Sequence, residues 1–369
     1  MRILHVVNGL GTGGAEKLIV DIVPLIVVKG HVVDVLLLNG ENTPFLKELR
    51  ELGCCTIISL GFSFYNPFYI FKIIPYLKKY DLVHVHLFPS MYFVALAKLI
   101  SFSKTKIIFT EHNTSNSRMK NLFMYPLERC IYSQYHSVIC ITESVQQVLM
   151  RKFAFFKNKF KVVENGIDIH RVQTVIGYDR DKFGYIEKDR LICMVAGFRV
   201  QKDQDTVVKA LKLLPIGYKI IFIGTGDRLE EVKALARTLD VLERITFLGL
   251  RTDVISLIKM CDIVVLSSHW EGFGLAAVEG MACGVPVVAS DVDGLAQVVS
   301  GGGLLFEKGN AKELANKIRS LEDSAYYEKI CLAGIEKAGN YDISIMINKT
   351  MVLYHSVFDQ SRKDINKPV

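Results

Sequence analysis

Short runs of β-branched and apolar residues alternate along the chain with longer segments whose apolar positions recur every three or four residues. That alternation is the pattern of βα units stacking into parallel sheets. In the first half it predicts strands at Ile3–Val7, Val32–Leu38, Thr56–Ser59, Leu82–Leu87, Lys106–Thr110, Ser137–Ile141 and Lys161–Val163. Helical patterns fill the gaps between them, notably Gly14–Val28, Pro67–Lys79 and Ser144–Phe153. The series then restarts, with strands at Leu191–Val195, Tyr218–Ile223, Arg244–Leu248, Ile263–Leu266 and Val285–Ala289. Helices over Asp205–Leu213, Leu229–Leu239 and Leu275–Met281 separate them, and Ser344–Phe358 reads as a terminal helix. The strands are almost continuously apolar, as strands covered on both faces must be. A polar stretch without periodicity, residues 165–188, reads as a linker. The expected fold class is α/β: two Rossmann-like doubly wound domains, over residues 1–165 and 166–341, facing across a cleft. The terminal helix and tail, residues 342–369, are expected to cross back to the first domain.

Length and composition agree with this picture. The 369 residues exceed one hydrophobic core and suit two; half are apolar and 22% are charged. The net charge of +7 is uneven. Residues 1–165 hold 19 Lys/Arg against 11 Asp/Glu, a balance of +8, and the remainder hold 26 against 27. A basic first half points to an anionic partner on that side. The eight cysteines form no C-x-x-C pair, so they give no zinc motif and read as free thiols of a reducing cytosol. The opening apolar run is a strand, too short for a signal-peptide core, and no stretch reaches the ~20 apolar residues of a spanning helix.

Four loops carry candidate chemistry. Gly9-Leu10-Gly11-Thr12-Gly13-Gly14 follows the first strand, where backbone and a helix N-terminus can approach an anion. Its spacing also satisfies G-x-G-x-x-G, with Asp34 as a nominal acidic partner inside a strand, so a dinucleotide site and a plain tight turn both remain open. Arg199 and Lys202 sit on the loop after Val195 and suit a diphosphate; a solvated loop would carry the same residues. The pair Gly224 and Gly226 ends the next strand. His269-Trp270-Glu271-Gly272-Phe273-Gly274-Leu275, followed by Glu279, is the most specific segment. Its helix starts near Gly274 with free N–H groups for a phosphate, Glu279 can accept both hydroxyls of a ribose, and Glu271 would face a sugar. Helix-end charges are the alternative for each glutamate, but they leave Gly272, Gly274 and Gly280 unexplained. His84 and His86 share one face of a strand, where a buried structural histidine is the expectation for His84.

With Asn165-Gly166-Ile167-Asp168, the Gly13-Gly14-Ala15-Glu16 loop and the Gln201-Lys202 loop, the Glu271…Glu279 segment resembles the retaining glycosyltransferases of family four, with the GT-B fold. The resemblance runs from Met1 to about Asn340. It implies that Glu271 contacts sugar hydroxyls, Glu279 the ribose, the backbone at Phe273, Gly274 and Leu275 the distal phosphate, and Lys202 the diphosphate. It places Arg251 on the donor side, where Gly224 already lets backbone approach, Gly13 and Gly14 near the diphosphate and acceptor, and His112 against the transferred sugar. Two positions depart from the family. Gly197 stands where an arginine is usual, with Arg199 two residues later as its substitute, and Gln297 stands where a glutamate is usual.

The implied activity is transfer of a hexosyl or N-acetylhexosaminyl unit from a nucleotide-diphosphate sugar to a glycan or lipid-linked glycan, in cell-surface polysaccharide synthesis. No metal and no cofactor besides the donor are expected, because cations would meet the leaving diphosphate. The aromatic and basic segments at residues 62–80 and 151–161 suit an anionic membrane surface, and equally suit helices packed on a sheet. No nucleic-acid motif is present, and the expected location is cytoplasmic, peripheral on the inner membrane face. A nucleotide-sugar epimerase of the same fold, a dinucleotide oxidoreductase and a non-enzymatic glycan-binding module are the rival readings.

Overall fold

In both halves, strands of mostly Val, Ile and Leu pair only in parallel, and helices cover their faces. The computed structural model describes residues 1–114 and 121–365, apart from the side chains of 122 and 360–365. It divides into two compact units: Met1–Asn165 with Ile343–Val369, and Gly166–Asp342.

The first unit holds β1 (Arg2–Val7), β2 (Val32–Leu37), β3 (Thr56–Ser59), β4 (Leu82–His86), β5 (Lys106–Glu111), β6 (Ser137–Cys140) and β7 (Phe160–Val162). Their order is β3-β2-β1-β4-β5-β6-β7. Ile3, Val7, Val35, Leu37, Leu82 and Ile108 pack beneath the helix Gly14–Val28 and the long terminal helix Ile343–Ile365. The second unit holds β8 (Arg190–Val195), β9 (Tyr218–Ile223), β10 (Ile245–Phe247), β11 (Ile263–Leu266), β12 (Val287–Ser290) and β13 (Leu304–Phe306), in the order β10-β9-β8-β11-β12-β13. Each sheet reverses its winding once, between β1 and β4 and between β8 and β11. At such a switch point the flanking loops diverge and leave a crevice at the carboxyl ends of the strands.

The structure differs from the sequence reading in several places. Residues 165–188 are not a bare linker: Asp168 caps the helix Ile169–Thr174, and Arg180 ties a short turn to the second unit through Met260 O, Asp189 O and Asp262. Strand β13 and the helices Val254–Met260, Ala311–Ser320 and Ser324–Gly339 were not expected, and Pro44–Leu52, Ser90–Ser101 and Tyr125–Gln134 fill gaps between strands for which the pattern gave helix without bounds. The segment around residues 62–77 divides its aromatics. Tyr69, Ile73 and Leu77 are buried, whereas Phe62 (82%), Tyr65 (67%), Phe68 (68%) and Phe71 (58%) are exposed. In the second basic segment Phe153 and Phe160 are buried and Phe155 is exposed beneath the Arg129 guanidinium. Among the described residues no helix is long and apolar enough to cross a membrane.

Candidate active site

The loops after β8 and β11 flank the switch point of the second sheet, and they bring Lys202 and Glu271 into contact. Lys202 Nζ donates to Glu271 Oε2, and both side chains are largely shielded from solvent. The loops are held by their own bonds: His269 N donates to Gln201 O (2.7 Å), and Gln201 Nε2 donates to Trp270 O (2.9 Å). Ser267 Oγ lies within bonding distance of Lys202 O (2.9 Å) and Asp203 O (2.7 Å). Asp203, in the left-handed region at φ 49°, caps the helix Gln204–Leu213 and accepts from Thr206 Oγ1 at 2.6 Å. Glu271 also accepts from Ser268 Oγ (3.3 Å) and from the Gly272 N–H (3.2 Å). Ser267, Ser268 and Asp203 are supporting residues that the sequence does not single out, and Gln201 stands out there only as part of the Gln201-Lys202 loop. A serine pair closing an apolar strand was the available signal.

Gly274 turns the chain into the helix Leu275–Ala282 at φ +90°, with Glu271 Cγ 3.8 Å from the position a Cβ would take. Gly274, at the N-terminus of that helix, therefore lies close to the Glu271 side chain that pairs with Lys202, and the helix end carries partial positive charge. The Phe273 ring is buried edge-on against Tyr341 at 5.2 Å, which leaves only its backbone for a ligand. Leu275 opens the helix, and Glu279 lies one turn further along it. Across the β8 loop, a Cβ on Gly224 would fall 2.2 Å from Ala196 O, so only glycine lets the β8 and β9 loops meet there. Arg199 is exposed, with Nε 3.7 Å from where a Gly197 side chain would begin. Arg251 is committed to Asp253 through both Nε (2.8 Å) and a terminal nitrogen, and Tyr178 OH donates to the same carboxylate (2.7 Å). Those bonds hold the Asp253 carboxyl down at about 2.

In the first unit, Gly13 caps the helix Gly14–Val28 through its backbone, with the Glu16 carboxylate over it. His112 stands just beyond β5; burial pushes its imidazole down to about 4, and its Nε2 has no hydrogen-bond partner. Glu111 points the other way, accepting from Tyr132 OH (2.9 Å) and the Asn113 N–H (3.3 Å). His84 is buried and engaged at both nitrogens, with Tyr354 OH (2.5 Å) and Thr110 Oγ1 (2.6 Å).

The sequence and the fold have counterparts in known proteins. Residues 12–171 match the model of Glycosyltransferase Family 4, and residues 177–336 match that of Glycosyl transferases group 1. An uncharacterized glycosyltransferase of Methanocaldococcus jannaschii is 30% identical over 294 residues, 76% of this chain and 74% of the relative. The N-acetylgalactosamine-N,N'-diacetylbacillosaminyl-diphospho-undecaprenol 4-alpha-N-acetylgalactosaminyltransferase of Campylobacter jejuni is 25% identical, covering 86% of this chain and 89% of the relative. The crystal structure of Anabaena HepE in complex with UDP and glucose superposes with a TM-score of 0.84 at 22% identity, over 96% of this chain and all of that one. Two doubly wound parallel-sheet units, the paired lysine and glutamate at a switch point, and these matches identify the chain as a glycosyltransferase of GT-B fold, belonging to the group 1 glycosyl transferases of family four.

Proposed function

We propose that the chain is a retaining enzyme that moves a hexosyl or N-acetylhexosaminyl unit from a nucleoside diphosphate sugar to a glycan or lipid-linked glycan in cell-surface polysaccharide synthesis. The observation that carries this reading is the Lys202–Glu271 pair set against the N-terminus of the helix Leu275–Ala282. A pyrophosphate placed there meets a cation and free N–H groups together. Breaking the bond from the anomeric carbon to the phosphate oxygen leaves its electron pair on the diphosphate, and stabilising that charge is commonly the largest catalytic contribution. Arg199, beside Gly197, supplies a second cation from two positions beyond the family's usual arginine. Incoming diphosphate replaces Glu271 as the partner of Lys202 and frees the carboxylate for sugar hydroxyls. Glu279 takes the ribose, and the backbone of Phe273, Gly274 and Leu275 the distal phosphate. Arg251 and Gly224 bound the donor, Gly13 and Gly14 face diphosphate and acceptor, and neutral His112 hydrogen-bonds the transferred sugar. The acceptor hydroxyl attacks from the face the diphosphate leaves and gives its proton to the departing phosphate oxygen. The scheme needs neither a divalent ion on the diphosphate nor a cofactor.

HepE was crystallised with UDP and glucose, and the Campylobacter relative's name gives a diphospho-undecaprenol-linked acceptor; both favour these substrate classes. Exposed Phe62, Phe68 and Phe71 in the stretch of residues 1–165, whose charge is +8, favour peripheral contact with an anionic inner membrane face. Thermal stabilisation by a panel of uridine, guanosine and adenosine diphosphate sugars tests the reading. One base class should raise the melting temperature in the wild type and lose its effect in Glu279→Ala. No response to any member, or sugar interconversion without an acceptor, would refute transfer.

A further inference from the structure

We propose that the first unit holds a tri-histidine site for a borderline transition ion of the zinc and cobalt class, at the switch point between β1 and β4. His5 on β1 stands in register with His84 on β4, and His86 follows two residues on along the same face. The three rings are 0–2% exposed. One nitrogen from each lies within 4.8 Å of the others. His5 Nδ1 and His86 Nε2 are 3.0 Å apart, close to the ~3.3 Å between two nitrogens that share a tetrahedral ion at about 2.0–2.1 Å.

A second observation is independent of that spacing. His5 Nε2 and His86 Nδ1 are buried without a hydrogen-bond partner. An ion bound through the nitrogens 3.0 Å apart would take the place of the bond between them and leave these two as they are; an ion reached through the unpartnered nitrogens would instead relieve the cost of about 1–3 kcal/mol that each carries in a dry interior. His84 is already oriented as metal-bound histidines are: whichever nitrogen turns to the ion, the other keeps a hydroxyl, Tyr354 or Thr110. Three imidazoles and no carboxylate select zinc or cobalt over magnesium or calcium, which prefer oxygen. The occupied site would join β1 and β4 beneath the terminal helix that carries Tyr354. It is built from residues of the first unit alone, with the His86 ring 5.8 Å from that of His112, and does not rest on the proposed reaction.

The test uses tag-free full-length protein stripped with a chelator, then titrated with cobalt(II) chloride and, separately, zinc chloride. The expected result is one cobalt per chain retained through gel filtration, with intense visible absorption bands that one equivalent of zinc abolishes. His5→Gln and His86→Gln should each weaken binding at least tenfold. His31→Gln should not, although His31 and His355 form a ring pair of their own at 5.8 Å. Should the buried variants fail to fold, X-ray absorption of the zinc-loaded wild type decides without them, by showing imidazole nitrogens and no sulfur at about 2.3 Å. No stoichiometric cobalt uptake, thiolate ligation, or binding undiminished in both folded variants would overturn the proposal.

Discussion

Gly274 brings the chain into its helix at φ +90°, and a Cβ built there would lie 2.5 Å from Leu295 Cδ1. Gly274→Ala therefore meets both strain and a clash, and should destabilise the second unit by about 1–3 kcal/mol. It should also weaken donor binding; a denaturant midpoint equal to wild type would contradict this. Lys202 tests the chemistry more directly. With its cation gone, the growing charge on the diphosphate rests on the helix end and Arg199, and Lys202→Ala should lower turnover about 10²–10³-fold. Steady-state rates at saturating donor measure it, and an unchanged rate would remove Lys202 from the site. The partner glutamate is less one-sided. Losing Glu271 frees Lys202 while removing a contact to the sugar, so Glu271→Gln should lower kcat more than it raises KM for the donor.

At the scale of elements, the carboxyl ends of β8 and β11 were legible because each apolar strand runs straight into glycines and charge: Val195 into Gly197 and Lys202, Leu266 into Glu271, Gly272 and Gly274. The helix Pro44–Leu52 was not legible. Its start is a Thr43 cap with proline at the first position, but the run is short and half polar, and only Leu46 and Leu49 are buried. Helix Ser90–Ser101 fails for the opposite reason: it is apolar on nearly every side, so no stripe distinguishes it from a strand. The three-residue strand β13 is defined by its neighbour β12, which local pattern does not carry. The Lys202–Glu271 contact joins residues 69 apart, and no local signal announces it.

The connection from the helix Tyr125–Gln134 into β6 carries a pH dependence. His136 Nδ1 accepts from the Ile107 N–H at 3.2 Å, and burial, then Lys98 and Lys106, push its imidazole down to about 3. The unfolded chain takes up this proton below about pH 6.5, whereas the folded chain resists it until about pH 3. Stability is therefore full above 6.5 and is lost as pH falls, with a slope of at most about 1.4 kcal/mol per pH unit from this residue. His136→Gln should flatten urea midpoints measured between pH 7 and pH 4; an unaltered slope would show that His136 titrates normally.

For the whole molecule, charge and exposed aromatics fall in the same unit. If Phe62, Phe68 and Phe71 enter an anionic surface, replacing all three with serine should reduce co-sedimentation with phosphatidylglycerol vesicles several-fold while donor-induced thermal shifts stay intact. Equal pelleting of both proteins would assign the aromatics another role. The rest of the first unit's surface would then have to account for its excess of lysine and arginine, which salt titration of any residual binding would reveal.

The first unit is discontinuous in sequence. Ile343, Met346, Ile347, Met351, Leu353, Tyr354 and Val357 fill its core from the far side of an inserted unit of its own. During synthesis, the earliest strands must wait for the last helix to emerge, while Gly166–Asp342 can close beforehand. An order in which the middle of the chain matures first leaves the β1–β4 sheet dependent on a late arrival, and a released chain cut just short of Ile343 would hold one finished half and one still unsealed.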